Sequence, residues 1–144
     1  FEFETVNRAF FETMVPGRGD DYYRFDHFLT LLEQLLDEQE EGLSYFHLIK
    51  DEAGAILGRM NIVDIDSTEK MAELGYRIGR AYTGKGIASQ ALQLVQQTLV
   101  HQYGLNGLRA KTTRENVASQ KVLLKNSFKQ TGQDEQFLHY VWTR

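Results

Sequence analysis

The sequence predicts an α/β fold, a mixed, mostly antiparallel sheet with helices packed against it, and three observations carry that expectation. Tyr45 to Lys50 and Ala55 to Ile65 are strand-like runs separated by Asp51-Glu52-Ala53-Gly54, a turn composition, so they read as an antiparallel hairpin. Met71 to Gly79, a glycine-containing loop, the helical run Gly86 to His101 and Leu108 to Thr112 then follow as strand, loop, helix, strand. Such a βαβ unit makes its two strands parallel and joins them by a right-handed crossover. The other long segments space their apolar residues as helices do.

In chain order, Phe1 to Met14 reads as a helix, with Phe3, Val6, Phe10 and Met14 near helical spacing and its aromatics directed to the core. Val15-Pro16-Gly17-Arg18-Gly19-Asp20 breaks it. Tyr23 to Gln39 is a second helix with Phe25, Phe28, Leu32, Leu35 and Leu36 on one side, ended by Gly42. After the hairpin, Ser67 to Lys70 is a polar turn leading into the Met71 strand. The helix Gly86 to His101 aligns Ile87, Ala91, Leu94, Val95 and Leu99, opposes them with Gln90, Gln93, Gln96 and Gln97, and stops at Gly104. Asn116 to Asn126 is the last helix; Phe128 to Thr131 and the strand Phe137 to Thr143 close the sheet in antiparallel fashion.

The 144 residues suit one domain, 1–144, with one hydrophobic core. With 42% apolar and 25% charged residues, one proline and no Gly/Ser-rich tract, no internal boundary or repeat is visible. No apolar run approaches the roughly 20 residues that span a bilayer, so no membrane partner is expected, and Phe1 to Arg8 lacks a signal-peptide pattern. The absence of cysteine excludes disulfides, thiolate metal sites and a cysteine nucleophile, and suits a cytoplasmic protein. The four histidines, His27, His47, His101 and His139, have no ligand spacing, so no metal is expected, and His47 reads as structural. A net charge of −4 argues against a broad nucleic-acid surface. The acidic run Asp37, Glu38, Glu40, Glu41 reads as a solvated helix end, or as an attraction for a basic partner.

Thr83-Gly84-Lys85-Gly86-Ile87-Ala88 is the stretch that points to a ligand. Two glycines at a strand-to-helix junction permit a tight turn with several N–H groups facing one way. The helix that follows adds its own unpaired N–H groups and positive dipole end, which makes a cradle for phosphate. A nucleotide-triphosphate loop would need Ser or Thr where Gly86 stands. A dinucleotide site would need a third glycine and an acid ending the next strand, and Leu108 to Thr112 has none. A structural turn alone does not call for two glycines flanking a lysine at a helix start. Coenzyme A, with its pyrophosphate, suits the cradle.

The same residues resemble the GNAT superfamily of acyl-CoA-dependent N-acetyltransferases, whose signature is Q/R-x-x-G-x-G/A; the loop matches it except at Thr83. Glu73-Leu74-Gly75-Tyr76-Arg77-Ile78-Gly79 before the loop and Asn116-Val117-Ala118-Ser119-Gln120-Lys121-Val122-Leu123 after it resemble the branch that acetylates the N-termini of ribosomal proteins. The similarity runs from about Tyr45 onward, and more weakly over Asn7 to Tyr23. Two departures stand out. Members usually have a strand before the first helix, where this chain starts, and Asn126-Ser127-Phe128 replaces a common Gly before the Phe.

The resemblance implies a GNAT-like sheet that splays open beside the central strand. It implies acetyl-CoA as cosubstrate, its pyrophosphate on the N–H groups from Gly84 to Ala88, with the Lys85 side chain free to face solvent. Tyr76, Arg77 and Ile78 would pair with the pantetheine arm, and Asn116 would touch it while also being a good helix cap. The acceptor would be a protein N-terminal amine or, alternatively, a small amine or antibiotic, in a monomer or homodimer; a non-catalytic acyl-CoA-binding protein is the third alternative. Attack on the thioester would be direct. A backbone N–H near Leu74 to Tyr76 would hold the oxyanion, and Glu73, then Glu115, would serve as base, Glu73 reading otherwise as a surface carboxylate. Members commonly use a tyrosine on the last helix as acid; the matching position, about Leu123, is apolar here. Ser119 is the candidate for the sulfur contact, or else a cap or packing residue. Tyr22, Tyr23 and Arg18 lie where the family's first helices frame the acceptor, the tyrosines reading equally as core-packing residues.

Overall fold

Alternation of apolar and polar residues builds a six-stranded sheet in the order β1-β2-β3-β4-β6-β5. The strands are β1 (Tyr45–Lys50), β2 (Ile56–Asp66), β3 (Met71–Ile78), β4 (Gly107–Thr113), β5 (Lys129–Gln133) and β6 (Phe137–Thr143). The computed structural model describes all 144 residues. All neighbouring strands are antiparallel except β3 and β4, the predicted parallel pair. That pair holds for only three positions, Met71 with Gly107, Ala72 with Leu108 and Glu73 with Arg109. Beyond Glu73 the two strands part. β3 stays in register with β2 up to Ile78 against Gly58, so the Leu74–Ile78 edge is unpaired on its β4 side only.

The helices are α1 (Glu2–Val6), α2 (Arg8–Glu12), α3 (Phe25–Glu40), α4 (Ile87–Thr98) and α5 (Val117–Lys125). On one face of the sheet Met60, Ile62, Ala72, Leu74, Leu108, Ala110 and Tyr140 meet Leu92, Val95 and Leu99 from α4 and its extension and Leu123 from α5. Leu92, Leu99, Leu108 and Leu123 are essentially inaccessible. Each such side chain contributes roughly 1.5–3 kcal/mol by leaving water. The expected α4 stripe is rotated slightly: Leu92 enters the core and Leu94 stays 64% exposed. The glutamine face is used once, where Gln96 Nε2 donates to the carbonyl of Asn126 at 2.9 Å and ties α4 to α5.

The opposite face carries α1 to α3. The single expected helix over Phe1–Met14 is broken at Asn7, whose backbone leaves the helical region (ψ 6°). Its amide nitrogen donates to the Phe3 carbonyl, and its side-chain oxygen accepts from Arg80 N at 2.8 Å. The break turns Val6 outward (73% exposed) and makes Phe11 the buried aromatic, beneath the Arg77 guanidinium at 5.1 Å. Asp20–Tyr23 forms a 3₁₀ turn, so α3 starts two residues later than predicted. α3 buries none of its residues fully.

Two further irregularities have local causes. α4 widens into a π turn, Leu99–Tyr103, ended by Gly104 at φ 65°. This aims Tyr103 at β1, where its ring stacks on Tyr45 at 3.8 Å and its hydroxyl meets His47 Nε2 at 3.0 Å. His47 Nδ1 lies 3.2 Å from the Met60 carbonyl, so the neutral ring donates there and accepts from Tyr103; the histidine is structural, as expected. At the end of α5, Phe128 N donates to Leu123 O and Ser127 N to Leu124 O, the Schellman arrangement. Ser127 therefore takes φ 68°, a left-handed conformation that favours glycine.

Candidate active site

The gap between β3 and β4 opens into a cleft of about 390 Å³. Its walls include Tyr76, Arg77 and Ile78 of β3, Thr83, Gly84, Gly86, Ile87 and Ala88 of the glycine loop, Asn116 and Ser119 of α5, and Phe11, Met14 and Val15 from α2 and its exit. Of the residues singled out from the sequence, all of these expected cofactor contacts converge on one cavity. Lys85 does not line it; its ammonium is 6.0 Å from the Tyr82 ring. Glu73 and Glu115 do not line it either.

The loop geometry follows from its two glycines. Gly84 and Gly86 sit at φ 75° and 76°, and a Cβ on either would project into open space. Gly86 occupies the N-cap of α4 without a side-chain cap. The N–H groups of Gly84, Lys85, Gly86, Ile87 and Ala88 donate to no acceptor in the chain, the first bond of the helix being Gln90 N to Gly86 O. Five successive unpaired donors at the head of a 12-residue helix fit an anionic diphosphate. Thr83, where Gln or Arg is usual in the family, instead donates its hydroxyl to the Arg80 carbonyl at 3.0 Å. Beside the loop, the unpaired edge Leu74–Ile78 offers the alternating N–H and C=O groups that an extended amide chain requires. These features fit the diphosphate and the amide-bearing arm of coenzyme A.

At α5, Asn116 Oδ1 accepts from Ser119 N at 3.1 Å, so Asn116 caps the helix while facing the cleft. Ser119 Oγ lies 2.8 Å from the Tyr76 hydroxyl. Burial raises the Tyr76 pKa above its ordinary value and the bond to Ser119 partly opposes that, so the phenol is neutral at physiological pH. Sequence reasoning missed this pair, because it sought a tyrosine on the last helix, where Leu123 is buried in the core. Tyr76 comes from β3 instead, reaching α5 across 43 residues of chain.

Alternation places Ala72, Leu74 and Tyr76 on the α4–α5 face and Glu73, Gly75 and Arg77 on the α1–α3 face. Glu73 makes no ion pair; its neighbour Arg109 bonds Glu69 at 2.6 Å. A β-bulge opposite Glu73, with Asp64 at φ 50°, bends β2 there. Next to it Gly75 is exposed, with nothing within 4 Å of where a Cβ would stand.

On this face Glu4 of α1 is buried among Arg59 of β2 (2.5 Å) and Arg77 (3.6 Å), a cluster the sequence did not reveal. Tyr22 and Arg18 line a neighbouring cavity of about 370 Å³, the guanidinium 4.8 Å from the Tyr22 ring. Tyr23 packs instead under Arg8 at 4.2 Å.

Comparison with known proteins gives a family. Residues 4–129 match the family model described as an acetyltransferase (GNAT) domain. A probable N-acetyltransferase of Bacillus subtilis, YjcK, is 29% identical over 133 residues, spanning 90% of this chain and 72% of that protein. The ribosomal-protein-serine acetyltransferase of Escherichia coli is 34% identical over 103 residues, 69% of this chain and 54% of the relative. Among solved structures, the ribosomal-protein-S5-alanine acetyltransferase from Vibrio fischeri superposes with TM-score 0.92 at 19% identity over 99% of this chain and 84% of that one. RimJ of Mycobacterium smegmatis in complex with CoA-disulfide gives 0.87 at 20% identity, over 99% and 74%. No helix is long and apolar enough to cross a membrane. With its matched family model and its splayed sheet, the chain belongs to the GNAT acetyltransferase family, whose members are N-acetyltransferases with acetyl-CoA as cosubstrate.

Proposed function

We propose that this protein transfers the acetyl group of acetyl-CoA directly to the N-terminal α-amine of a protein. The observation that carries the reading is the juxtaposition of five unpaired N–H donors at the head of α4 with the unpaired edge of β3. The ribosomal-protein acetyltransferases among its relatives favour a protein N-terminus as acceptor.

Acetyl-CoA supplies an activated thioester carbonyl. The loop from Gly84 to Ala88 holds the diphosphate, and Tyr76 to Ile78 align the arm so that the acetyl group reaches the Glu73–Tyr76 segment. A backbone N–H of Leu74 to Tyr76 then faces the carbonyl oxygen and stabilises the charge that develops on it. The amine approaches over the α1–α3 face, where exposed Gly75 leaves room. Glu73, on that face, takes its proton directly or through water. The demand is small: an α-amine has a pKa near 8, against about 10.4 for lysine, so deprotonation at neutral pH costs about 1–1.5 kcal/mol rather than about 4.6.

As the C–N bond forms, the C–S bond breaks and the thiolate leaves on the α5 face. Tyr76 and Ser119 stand there as a hydrogen-bonded pair, able to donate to sulfur. A thiol has a pKa near 8.5, below that of a phenol, so the pair stabilises the thiolate by hydrogen bonding and full proton transfer is unnecessary. Base and leaving-group donor thus lie on opposite faces of one strand.

The test is thiol release from acetyl-CoA with N-terminal peptides, polyamines and aminoglycosides, together with Gly75→Val. Peptides should be the better acceptors, and Gly75→Val should raise the peptide KM while leaving CoA affinity intact. Turnover with polyamines or aminoglycosides alone would overturn the acceptor assignment. CoA binding without turnover on any amine would overturn the reaction.

A further inference from the structure

The cavity between α1, α3 and the outer face of β1 and β2 has an unusual charge count. Its walls are largely apolar, with Phe28, Leu32, Leu35 and Phe46 among them, yet they also carry Arg18, Arg59 and a single carboxylate, Glu4. Arg77 contacts Glu4 from behind. Three guanidinium groups therefore share one acid. Glu4 is already engaged by Arg59 and Arg77, and the Asn61 amide, assigned with its oxygen as the acceptor, meets Arg59 Nη1 at 2.6 Å. Arg59 Nη2 is buried without any hydrogen-bond partner, and Glu4 Oε2 likewise accepts no hydrogen bond, its nearest cation being Arg77 Nη1 at 3.6 Å. Arg18 has no carboxylate within ion-pair distance and sits over the Tyr22 ring, 4.8 Å from its centre, at the cavity wall. His47, the remaining titratable wall residue besides Tyr22, is held below its ordinary pKa by burial and adds no positive charge at neutral pH.

Arg59 and Arg77 exceed Glu4 by one positive charge in a largely buried cluster, which is costly unless an anion completes it, and exposed Arg18 adds a second free cation at the cavity wall. The cavity lies on the face that carries Glu73 and Gly75, and Asn61, at its inner end, pairs directly with Gly75. Resting on the proposed transfer over that face, we infer that this cavity is an acceptor subsite that selects amines bearing an anionic group one or two residues from the reacting nitrogen, such as peptides with Asp or Glu at the second or third position. Arg18 and the free Nη2 of Arg59 receive the carboxylate, and the phenyl and leucyl walls take the apolar remainder. A free amino acid carboxylate offers the same chemistry on a shorter frame.

The experiment compares kcat/KM for peptides identical except for Glu, Gln or Lys at positions two and three, with free amino acids as a separate arm. Glu peptides should exceed Gln peptides at least tenfold, and Lys peptides should fall below both. Arg18→Gln should remove most of that discrimination. Arg18→Glu, at an exposed site without an ion pair, should reverse it toward Lys, a change that loss of packing would not produce. Discrimination confined to the free amino acid arm would place the anion on the acceptor's own α-carboxylate and overturn the peptide assignment. Turnover independent of peptide charge, or a wild-type preference for Lys, would overturn the subsite while leaving acetyl transfer standing. Absence of turnover with every amine despite CoA binding would instead overturn transfer itself, and the subsite with it.

Discussion

Gly86 and Gly104 provide a matched pair for testing the cradle. Both are left-handed, at φ 76° and 65°, and neither has an atom within 4 Å of where a Cβ would stand. Valine at either position therefore meets the same backbone penalty and no internal clash. That penalty is about 2 kcal/mol for a β-branched residue in the left-handed region. For a chain of this size it lowers Tm by about 4–8 °C. The two sites differ in what the new side chain faces. Gly86 lines the cleft between β3 and β4, whereas Gly104 lies beyond the π turn, away from it. At Gly86 the isopropyl group would stand over the free N–H groups and keep a diphosphate from one or more of them. A hydrogen bond to a charged group is worth about 1.5–3 kcal/mol, so CoA affinity should fall by about 10- to 150-fold. Thermal unfolding without ligand and calorimetric titration with CoA measure the two effects separately. Gly86→Val and Gly104→Val should lose similar Tm, and only Gly86→Val should lose affinity. Wild-type affinity in Gly86→Val, or an equal affinity loss in Gly104→Val, would refute the cradle.

Four further outcomes follow from the same geometry. Tyr76→Phe removes the donor beside Ser119 and should lower kcat about tenfold or more, the lower end for a hydrogen bond to a charged group, with the acetyl-CoA KM little changed in steady-state assays. Ser127→Gly relieves the left-handed strain at the end of α5 and should raise stability by about 1 kcal/mol in urea unfolding; a loss would contradict the Schellman assignment. Glu4→Gln leaves Arg59 and Arg77 without their counter-ion and should cost about 3–5 kcal/mol, far more than an exposed charge change. His47 has a folded pKa below its unfolded value because it is buried, so the unfolded chain binds its proton first. Stability from this residue is full above about pH 6.5 and is lost as pH falls below it, a slope that urea midpoints should show and His47→Gln should flatten.

The sheet was legible because its signals are local. Alternation in Tyr45–Lys50 and Met71–Ile78 and the turn at Asp51–Gly54 require nothing beyond neighbouring residues, and the parallel pair followed from the intervening helix. The loop was legible for the same reason: its chemistry resides in backbone N–H groups that two glycines position. What remained hidden depends on residues distant in the chain. Asn7 breaks the first helix where its side-chain oxygen accepts from Arg80 N, 73 residues on. Glu4 looked like one more charge in a helical first turn until Arg59 and Arg77 closed around it. Leu92 rather than Leu94 enters the core, because which side of α4 meets the sheet is set by tertiary packing that periodicity does not encode. Ser119 was found by motif, but its partner Tyr76 required the splay that brings β3 against α5.

The three-residue junction between β3 and β4 has a mechanical consequence. The sheet is two panels, β1-β2-β3 and β4-β6-β5, hinged at Met71–Glu73 and open beyond. On the proposed placement, a pantetheine arm along Leu74–Ile78 would tie the panels together and link binding to folding. At a ligand concentration a hundredfold above Kd, the tie adds about 2.7 kcal/mol to the unfolding free energy. That is a large part of a typical domain's margin. On that placement the protein's persistence would follow the acyl-CoA supply around it, and the Met71–Glu73 junction is where amide exchange and proteolysis should first register a shortage.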